Sequence, residues 1–230
     1  MTATLAPAPL SSVPEPSLAS PAPPLLRERR HWLAVLAVLF VFFAPYQTLV
    51  QTVITDDAVR KGVDVDSYDM TWVQVGYVVG LLYGAFVGLW LAPRIGARYT
   101  IAIGMLGFAL GALLTGSAVG LLSLALGRML DGFGKMVVTA LCRTTLYKQF
   151  DRFLLVGIGF YGIFAYATRN TTPLLMAELD VHLSWRWMYW FHIPITLVGM
   201  VLVWRYFRPD RPPQPMRLPI DWLALTLFVA

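Results

Sequence analysis

The sequence predicts an all-α integral membrane protein, a bundle of six transmembrane helices followed by the start of a seventh. Three observations carry this prediction. Of 230 residues, 57% are hydrophobic and 13% charged, whereas about a quarter of an ordinary globular chain is charged. The apolar residues are gathered into blocks of roughly 20, the length a helix rising about 1.5 Å per residue needs to cross about 30 Å of hydrocarbon. Lys and Arg collect at alternate junctions between these blocks.

Residues 1–31 are rich in Pro and Ala, and Pro7, Pro9, Pro14, Pro16, Pro21, Pro23 and Pro24 forbid a continuous helix. This segment is expected to be a disordered cytoplasmic tail. It is not a secretory signal, because Arg27, Arg29 and Arg30 follow its apolar residues instead of preceding them. The transmembrane bundle is expected over 32–207, with spans at about 32–52, 71–92, 98–116, 118–141, 153–177 and 187–207. A cytoplasmic linker (208–219) leads to the start of a truncated seventh helix (220–230), about half a crossing long.

Orientation follows from the cations, which stay on the cytoplasmic side of short loops. With the amino terminus inside, twelve of the 18 Lys and Arg lie in inner segments. Only Arg60, Lys61 and Arg186 lie in outer ones, and Arg128, Lys135 and Arg169 fall within spans. The chain is therefore expected to be a multi-pass protein of the cell (inner or plasma) membrane with a cytoplasmic amino terminus. Asp56, Asp57, Asp64, Asp66 and Asp69 make the first outer loop acidic, and Trp185, Trp187, Tyr189 and Trp190 fit an outer aromatic belt. Gly80, Gly84 and Gly88, then Gly107 and Gly111, recur four apart and are expected to let helices approach closely.

The formal charge of +5 is distributed between apolar blocks, so it points to a bilayer partner and not to nucleic acid. No C-x-x-C framework, H-E-x-x-H or phosphate loop occurs, and the single Cys142 has no partner for an internal disulfide. No enzyme, metal or cofactor is expected. Gly157-Ile158-Gly159-Phe160-Tyr161-Gly162 matches a dinucleotide fingerprint but lies inside an apolar span with no preceding strand. Asn170-Thr171-Thr172 matches a glycosylation acceptor but is likewise inside a span.

The charges within spans identify candidate functional residues. Arg128, Asp131 and Lys135 are spaced i, i+3 and i+7, so a helix places them on one face. Three unpaired charges facing lipid would cost roughly 8–10 kcal/mol, so they are expected to face protein or a water-filled cavity. The plain reading is that Asp131 neutralises its neighbours and lets the helix insert. The functional reading is that a carboxylate between two cations couples proton movement to a change of shape. Arg169, followed by Asn170, Thr171, Thr172 and Pro173, is a polar patch in the fifth span; it either snorkels outward or serves as an anion-binding or gating cation. His192 is either a buried interhelical hydrogen-bonder or a titrating group.

At this point the sequence resembles the major facilitator superfamily over residues 32–230, and in particular its fourteen-helix drug:proton antiporter branch. Leu91-Ala92-Pro93-Arg94-Ile95-Gly96-Ala97-Arg98 is similar to the family's L-A-D-R-x-G-R-R gating loop. Arg128-Met129-Leu130-Asp131-Gly132-Phe133-Gly134 is similar to R-x-x-Q-G-x-G, which the family associates with proton coupling. Ser184-Trp185-Arg186-Trp187, with Pro194 and Ile195 beyond it, matches the S-W-R-W start of the sixth helix, and Asp221-Trp222-Leu223 resembles the start of the seventh.

The departures make this a divergent member. Pro93 stands where the loop has aspartate, so Arg94 and Arg98 lack that local partner. Thr172-Pro173-Leu174-Leu175-Met176-Ala177 keeps the proline of G-P-x-x-G-G but not its glycines, and His192 replaces an asparagine.

The resemblance implies the amino-terminal bundle of a transporter that exports small amphipathic or organic compounds against inward proton flow. Arg128, Asp131 and Lys135 would be its coupling residues; Leu91, Arg94, Gly96 and Arg98 its gating loop; Pro173 its helix-five motif. Arg169, Asn170 and His192 would line a substrate cavity. Its partners would be protons, a small molecule, a carboxy-terminal half and, where an outer membrane exists, a periplasmic adaptor protein. Two alternatives stay open: an organic-anion transporter, and an inactive truncated half or membrane scaffold.

Overall fold

A computed structural model of the protein describes residues 29–54, 56–150 and 154–206. Among these there is no strand. The helices are α1 (Arg29–Ile54), α2 (Asp56–Val63), α3 (Ser67–Ile95), α4 (Ala97–Gly116), α5 (Leu121–Phe150), α6 (Leu154–His182), α7 (Trp185–Trp190) and α8 (His192–Tyr206). Each of the six expected spans corresponds to one long helix, the last being α7 and α8 interrupted only at Phe191. Ser67–Ile95, Ala97–Gly116 and Trp185–Tyr206 are long and apolar enough to cross a membrane by length and composition. Helices α1, α5 and α6 have 26, 30 and 29 residues, about 39–45 Å at about 1.5 Å per residue, so their length also suffices. What lowers the apolar character of α5 and α6 is the charge ladder in the one and the Arg169–Thr172 patch in the other.

Helix α5 is central, and glycine sets how closely its neighbours approach. Along α3, Gly76 faces Ala125, Gly80 faces Met129, Gly84 faces Phe133 and Gly88 faces Val137, so α3 runs parallel to α5. Along α4, Gly104 faces Val137 and Val138, Gly107 faces Phe133 and Gly134, and Gly111 faces Leu130 and Asp131, so α4 runs antiparallel. A Cβ at Gly80, Gly84 or Gly111 would press into the main chain of α5, which leaves those positions to glycine. The expected glycine spacing is thus a packing device on both flanks of one helix. Helices α1, α4, α5 and α8 share an apolar core that includes Val38, Val41, Ile101, Met105, Val137, Val138 and Val203. Helix α6 joins α1 through Phe42, Tyr161 and Phe164.

The structure departs from the sequence expectation in several places. Helix α1 begins at Arg29, inside the stretch assigned to the tail. The rest of that tail, the linker and the seventh helix lie outside the described residues. The first outer loop contains the short amphipathic helix α2. Its acids Asp56 and Asp57 lie in the first turn and Arg60 and Lys61 in the last, as the helix dipole favours. Arg60 pairs with Asp56 (3.2 Å) and Asp57 (2.9 Å). The Lys61 ammonium, hydrogen-bonded to Asp57, holds that carboxyl below its usual range. Val59 and Val63 pack with Met70, Val73, Ala118, Leu124, Trp185 and Tyr189.

The expected aromatic belt is therefore corrected: Trp185 and Tyr189 are buried under α2, and only Trp187 of the four is exposed. Arg186, expected as a loop cation, donates to the carbonyls of Gly116 (2.8 Å) and Ala118 (3.0 Å) where α4 ends. It satisfies oxygens that the helix terminus leaves without partners.

Candidate functional site: a buried charge ladder on α5

Arg128, Asp131 and Lys135 are 1%, 0% and 6% exposed. They face the interior of the bundle, because the lipid alternative would cost several kcal/mol per charge and because α3 and α4 are drawn tightly onto α5 at Gly80, Gly84 and Gly111. Arg128 Nη1 lies 3.1 Å from Asp131 Oδ2 in a charge-assisted pair one turn apart. The second carboxylate oxygen, Oδ1, has no hydrogen-bond partner. One oxygen of this carboxylate is thus committed to Arg128, and the other is a buried acceptor with no hydrogen-bond donor.

The aromatic neighbours were not legible in the sequence. Tyr77 of α3 lies beneath the ladder: its ring centroid is 4.5 Å from the Arg128 guanidinium carbon and 5.6 Å from Lys135 Nζ. Its hydroxyl accepts a 2.9 Å hydrogen bond from Lys135. Tyr189 of α7 lies 5.7 Å from Arg128 on another side. An aromatic at the heart of an apolar block reads as core from sequence alone. The spacing of Tyr77 one residue beyond Gly76 and three before Gly80 is the only signal that it faces α5.

His192 is fully buried at the start of α8, edge-on to Phe108 at 5.9 Å and Phe191 at 6.0 Å. The polar neighbours of its ring are the carbonyls of Met188 and Tyr189, at geometry short of a hydrogen bond. Phe108 also packs its main chain on Gly134, so α4 links His192 to the ladder's helix.

Arg169 and Asn170 do not join this cluster; both are exposed on α6, and the buried members of their patch are Thr168 and Thr172. The patch is satisfied by its own helix: Asn170, Thr171 and Thr172 donate to the carbonyls of Tyr166, Ala167 and Thr168. Such back-bonding suits the segment before Pro173, whose missing N–H interrupts the helical ladder while α6 continues to His182.

At the opposite end, Gly96 joins α3 to α4 with φ 90° and ψ 153°. Arg94 stacks on Trp90 at 3.8 Å and donates to its carbonyl. Arg98 stacks on Trp204 of α8 at 4.1 Å and donates to that residue's carbonyl, while Tyr99 meets the same ring edge-on. Indole faces therefore stack on both arginines of the loop in which Pro93 stands at the aspartate position. Leu91 is half-buried beside them. Among the described residues no group of His, Cys, Asp and Glu is arranged to hold a metal ion.

The Major Facilitator Superfamily model matches residues 32–222. Lincomycin resistance protein of Streptomyces lincolnensis is 30% identical over 89% of this chain and 42% of its own length. Multidrug resistance protein 3 of Bacillus subtilis (strain 168) is 26% identical over 73% of this chain and 33% of its own length. Among solved structures, a mutant of nucleoside transporter NupG superposes with a TM-score of 0.68 at 13% identity, covering 85% of this chain and 50% of that one. Peptide transporter POT in complex with sulfate gives 0.63 at 14% identity, covering 75% and 37%. The chain spans less than half the length of these curated relatives. The family match over the same helices that enclose the ladder places this multi-pass membrane chain among transporters and not enzymes: it belongs to the Major Facilitator Superfamily.

Proposed function

We propose that this chain is one bundle of a proton-coupled secondary transporter that exports small amphipathic or organic compounds, with Arg128, Asp131 and Lys135 as the coupling group. The observation that carries the reading is the buried ladder itself. A carboxylate paired on one oxygen and open on the other, between two cations, changes the balance of charge in the core when it takes up a proton. The names of the relatives, lincomycin resistance and multidrug resistance, support efflux of drug-like molecules. A second six-helix bundle would complete the cavity, since substrate sites in such transporters lie between two repeats near mid-membrane. The gating role falls to Arg94, Gly96 and Arg98, and the membrane is the inner or plasma membrane with the amino terminus in the cytoplasm.

The test is ethidium flux in proteoliposomes holding the full reading frame, driven by an imposed pH gradient. Coupled flux is expected from the natural sequence and is expected to fall at least about tenfold, some 1.4 kcal/mol in the barrier, in both Arg128→Ala and Asp131→Asn. Unchanged flux in both variants removes the assignment. Exposed Arg169 on α6 favours a second reading, transport of an organic anion. Uptake of an aromatic carboxylate in place of ethidium, lost in Arg169→Ala, distinguishes it.

A further inference from the structure

We infer that Tyr77 is a positioning residue of the coupling site, using its ring to hold Arg128 and its hydroxyl to hold Lys135. This rests on the coupling role proposed for the ladder and adds to it a residue from a different helix. The geometry is specific on both counts. The ring face lies 4.5 Å from the Arg128 guanidinium carbon, well inside the reach of a cation–π contact, and the hydroxyl accepts from Lys135 Nζ at 2.9 Å. One side chain thus fixes both cations, which sit about two turns apart on α5.

Tyr77 is itself fixed. Gly132, the residue after Asp131, packs against the Tyr77 carbonyl and leaves 3.1 Å between the site of a Cβ and the ring's Cδ2. Gly80 and Gly84 draw the next two turns of α3 onto Met129 and Phe133. The stretch of α3 main chain that carries the ring is thus held close against α5.

That rigidity has a consequence in the proton cycle. When Asp131 is ionised, Arg128 is held by the carboxylate at 3.1 Å as well as by the ring. When Asp131 takes a proton, the ionic attraction is lost and the ring face, together with Tyr189 at 5.7 Å, retains the guanidinium beside the carboxyl. The same cation is then in place to favour release of the proton. A ladder without Tyr77 would lose the ring face under Arg128 and the acceptor for Lys135, and the carboxyl would titrate in different surroundings.

The groups around Asp131 limit which others can act in this way. On α5 they are Arg128 and Lys135; from α3, Tyr77; from α7, Tyr189; from α8, His192. Helix α4, which lies on the Asp131 main chain at Gly111, has no titratable residue beyond Arg98 and Tyr99 at its far end. On α1, apart from Arg29, Arg30 and His31 at its start, the titratable residue is Tyr46, which packs on Phe42, and on α6 Tyr161 stacks with Arg143. Tyr77 meets Arg128 with its ring face and Lys135 with its hydroxyl.

The experiment uses the full reading frame purified in detergent and reads Asp131 directly, by the pH midpoint of its reaction with dicyclohexylcarbodiimide. Ethidium flux in proteoliposomes is measured alongside. Tyr77→Phe keeps the ring and removes the hydroxyl; Tyr77→Leu removes both. The midpoint is expected to move by about half a pH unit, some threefold in the proton equilibrium, in Tyr77→Phe and further in Tyr77→Leu. Coupled flux is expected to fall about tenfold in Tyr77→Leu only.

A carbodiimide midpoint in Tyr77→Phe that matches the natural sequence, with its flux also unchanged across pH, overturns the inference. Tyr77→Phe removes one oxygen and keeps the packing volume, so a folding defect in Tyr77→Leu does not rescue it. If Asp131→Asn retains full coupled flux while the Tyr77 variants still move the midpoint, the coupling role of the ladder fails and the positioning by Tyr77 stands.

Discussion

Gly96 shows how one residue sets the turn between α3 and α4. Its φ of 90° with ψ of 153° lies in a region reached essentially by glycine alone. No atom lies within 4 Å of where its Cβ would be, so the constraint is the backbone and not the space. The turn it makes sends α4 back along α5 and carries Arg98 to Trp204 on α8. Gly96→Ala is expected to lower stability by about 1–3 kcal/mol, read as a lower Tm in detergent. An unchanged Tm would mean that the turn relaxes into an ordinary conformation. Arg94 and Arg98 make the complementary point about substitution: Pro93 stands where the family pattern has aspartate, and two tryptophans stack on the guanidinium groups. A guanidinium is weakly hydrated and planar, so it exchanges an anion for an aromatic face more readily than an ammonium would.

At the scale of helices, the protein is organised by where glycine permits contact. Gly80→Ala and Gly84→Ala would each drive a methyl into the α5 main chain, and overpacking of this kind costs about 1–3 kcal/mol. Gly162 on α6, with nothing within 4 Å, is expected to accept alanine without loss. Thermal unfolding of the three variants checks the contrast; equal tolerance at all three would mean that α3 and α5 are not in close contact.

Most of this scale was legible in the sequence. The apolar blocks mark the six long helices because lipid leaves the backbone few other solutions, and the four-residue glycine spacing marks their close faces. Helix α2 escaped because its eight residues are polar on average and are held by only two valines, Val59 and Val63, against distant partners. Trp185 and Tyr189 read as belt residues for the same reason: whether an aromatic at a helix end meets lipid or core depends on α2, which lies more than a hundred residues earlier in the chain. In the site, the i, i+3, i+7 charges were visible as one face of α5. Tyr77 was not, since its meaning comes from the register of α3 on α5.

For the whole molecule, the two ends of the bundle are chemically distinct. One end carries α2, the α4–α5 connection and α7, tied by Arg60 to Asp56 and Asp57 and by Arg186 to the end of α4. The other carries the Gly96 turn with Arg94 and Arg98. The distribution of Lys and Arg predicts that the Gly96 end lies in the cytoplasm, and this expectation is testable because these 230 residues hold one cysteine, Cys142, which is buried. These 230 residues are therefore expected to give no background in thiol labelling, provided that any cysteine elsewhere in the full reading frame is replaced by serine. Val119→Cys, on the exposed α4–α5 connection, is expected to react with a membrane-impermeant maleimide added to intact cells. Ile95→Cys, exposed beside Gly96, is expected to react only after the cells are opened; the opposite pattern overturns the orientation. In that orientation Asp131, ten residues into α5 from Leu121, lies about 15 Å from the outer end of its helix, and Lys135 about one turn deeper. The ladder then begins toward the outer side and ends near the middle of the membrane; under the proposed coupling role a carboxylate at that depth would be loaded from outside, and the arginines stacked on tryptophan would close the cytoplasmic end.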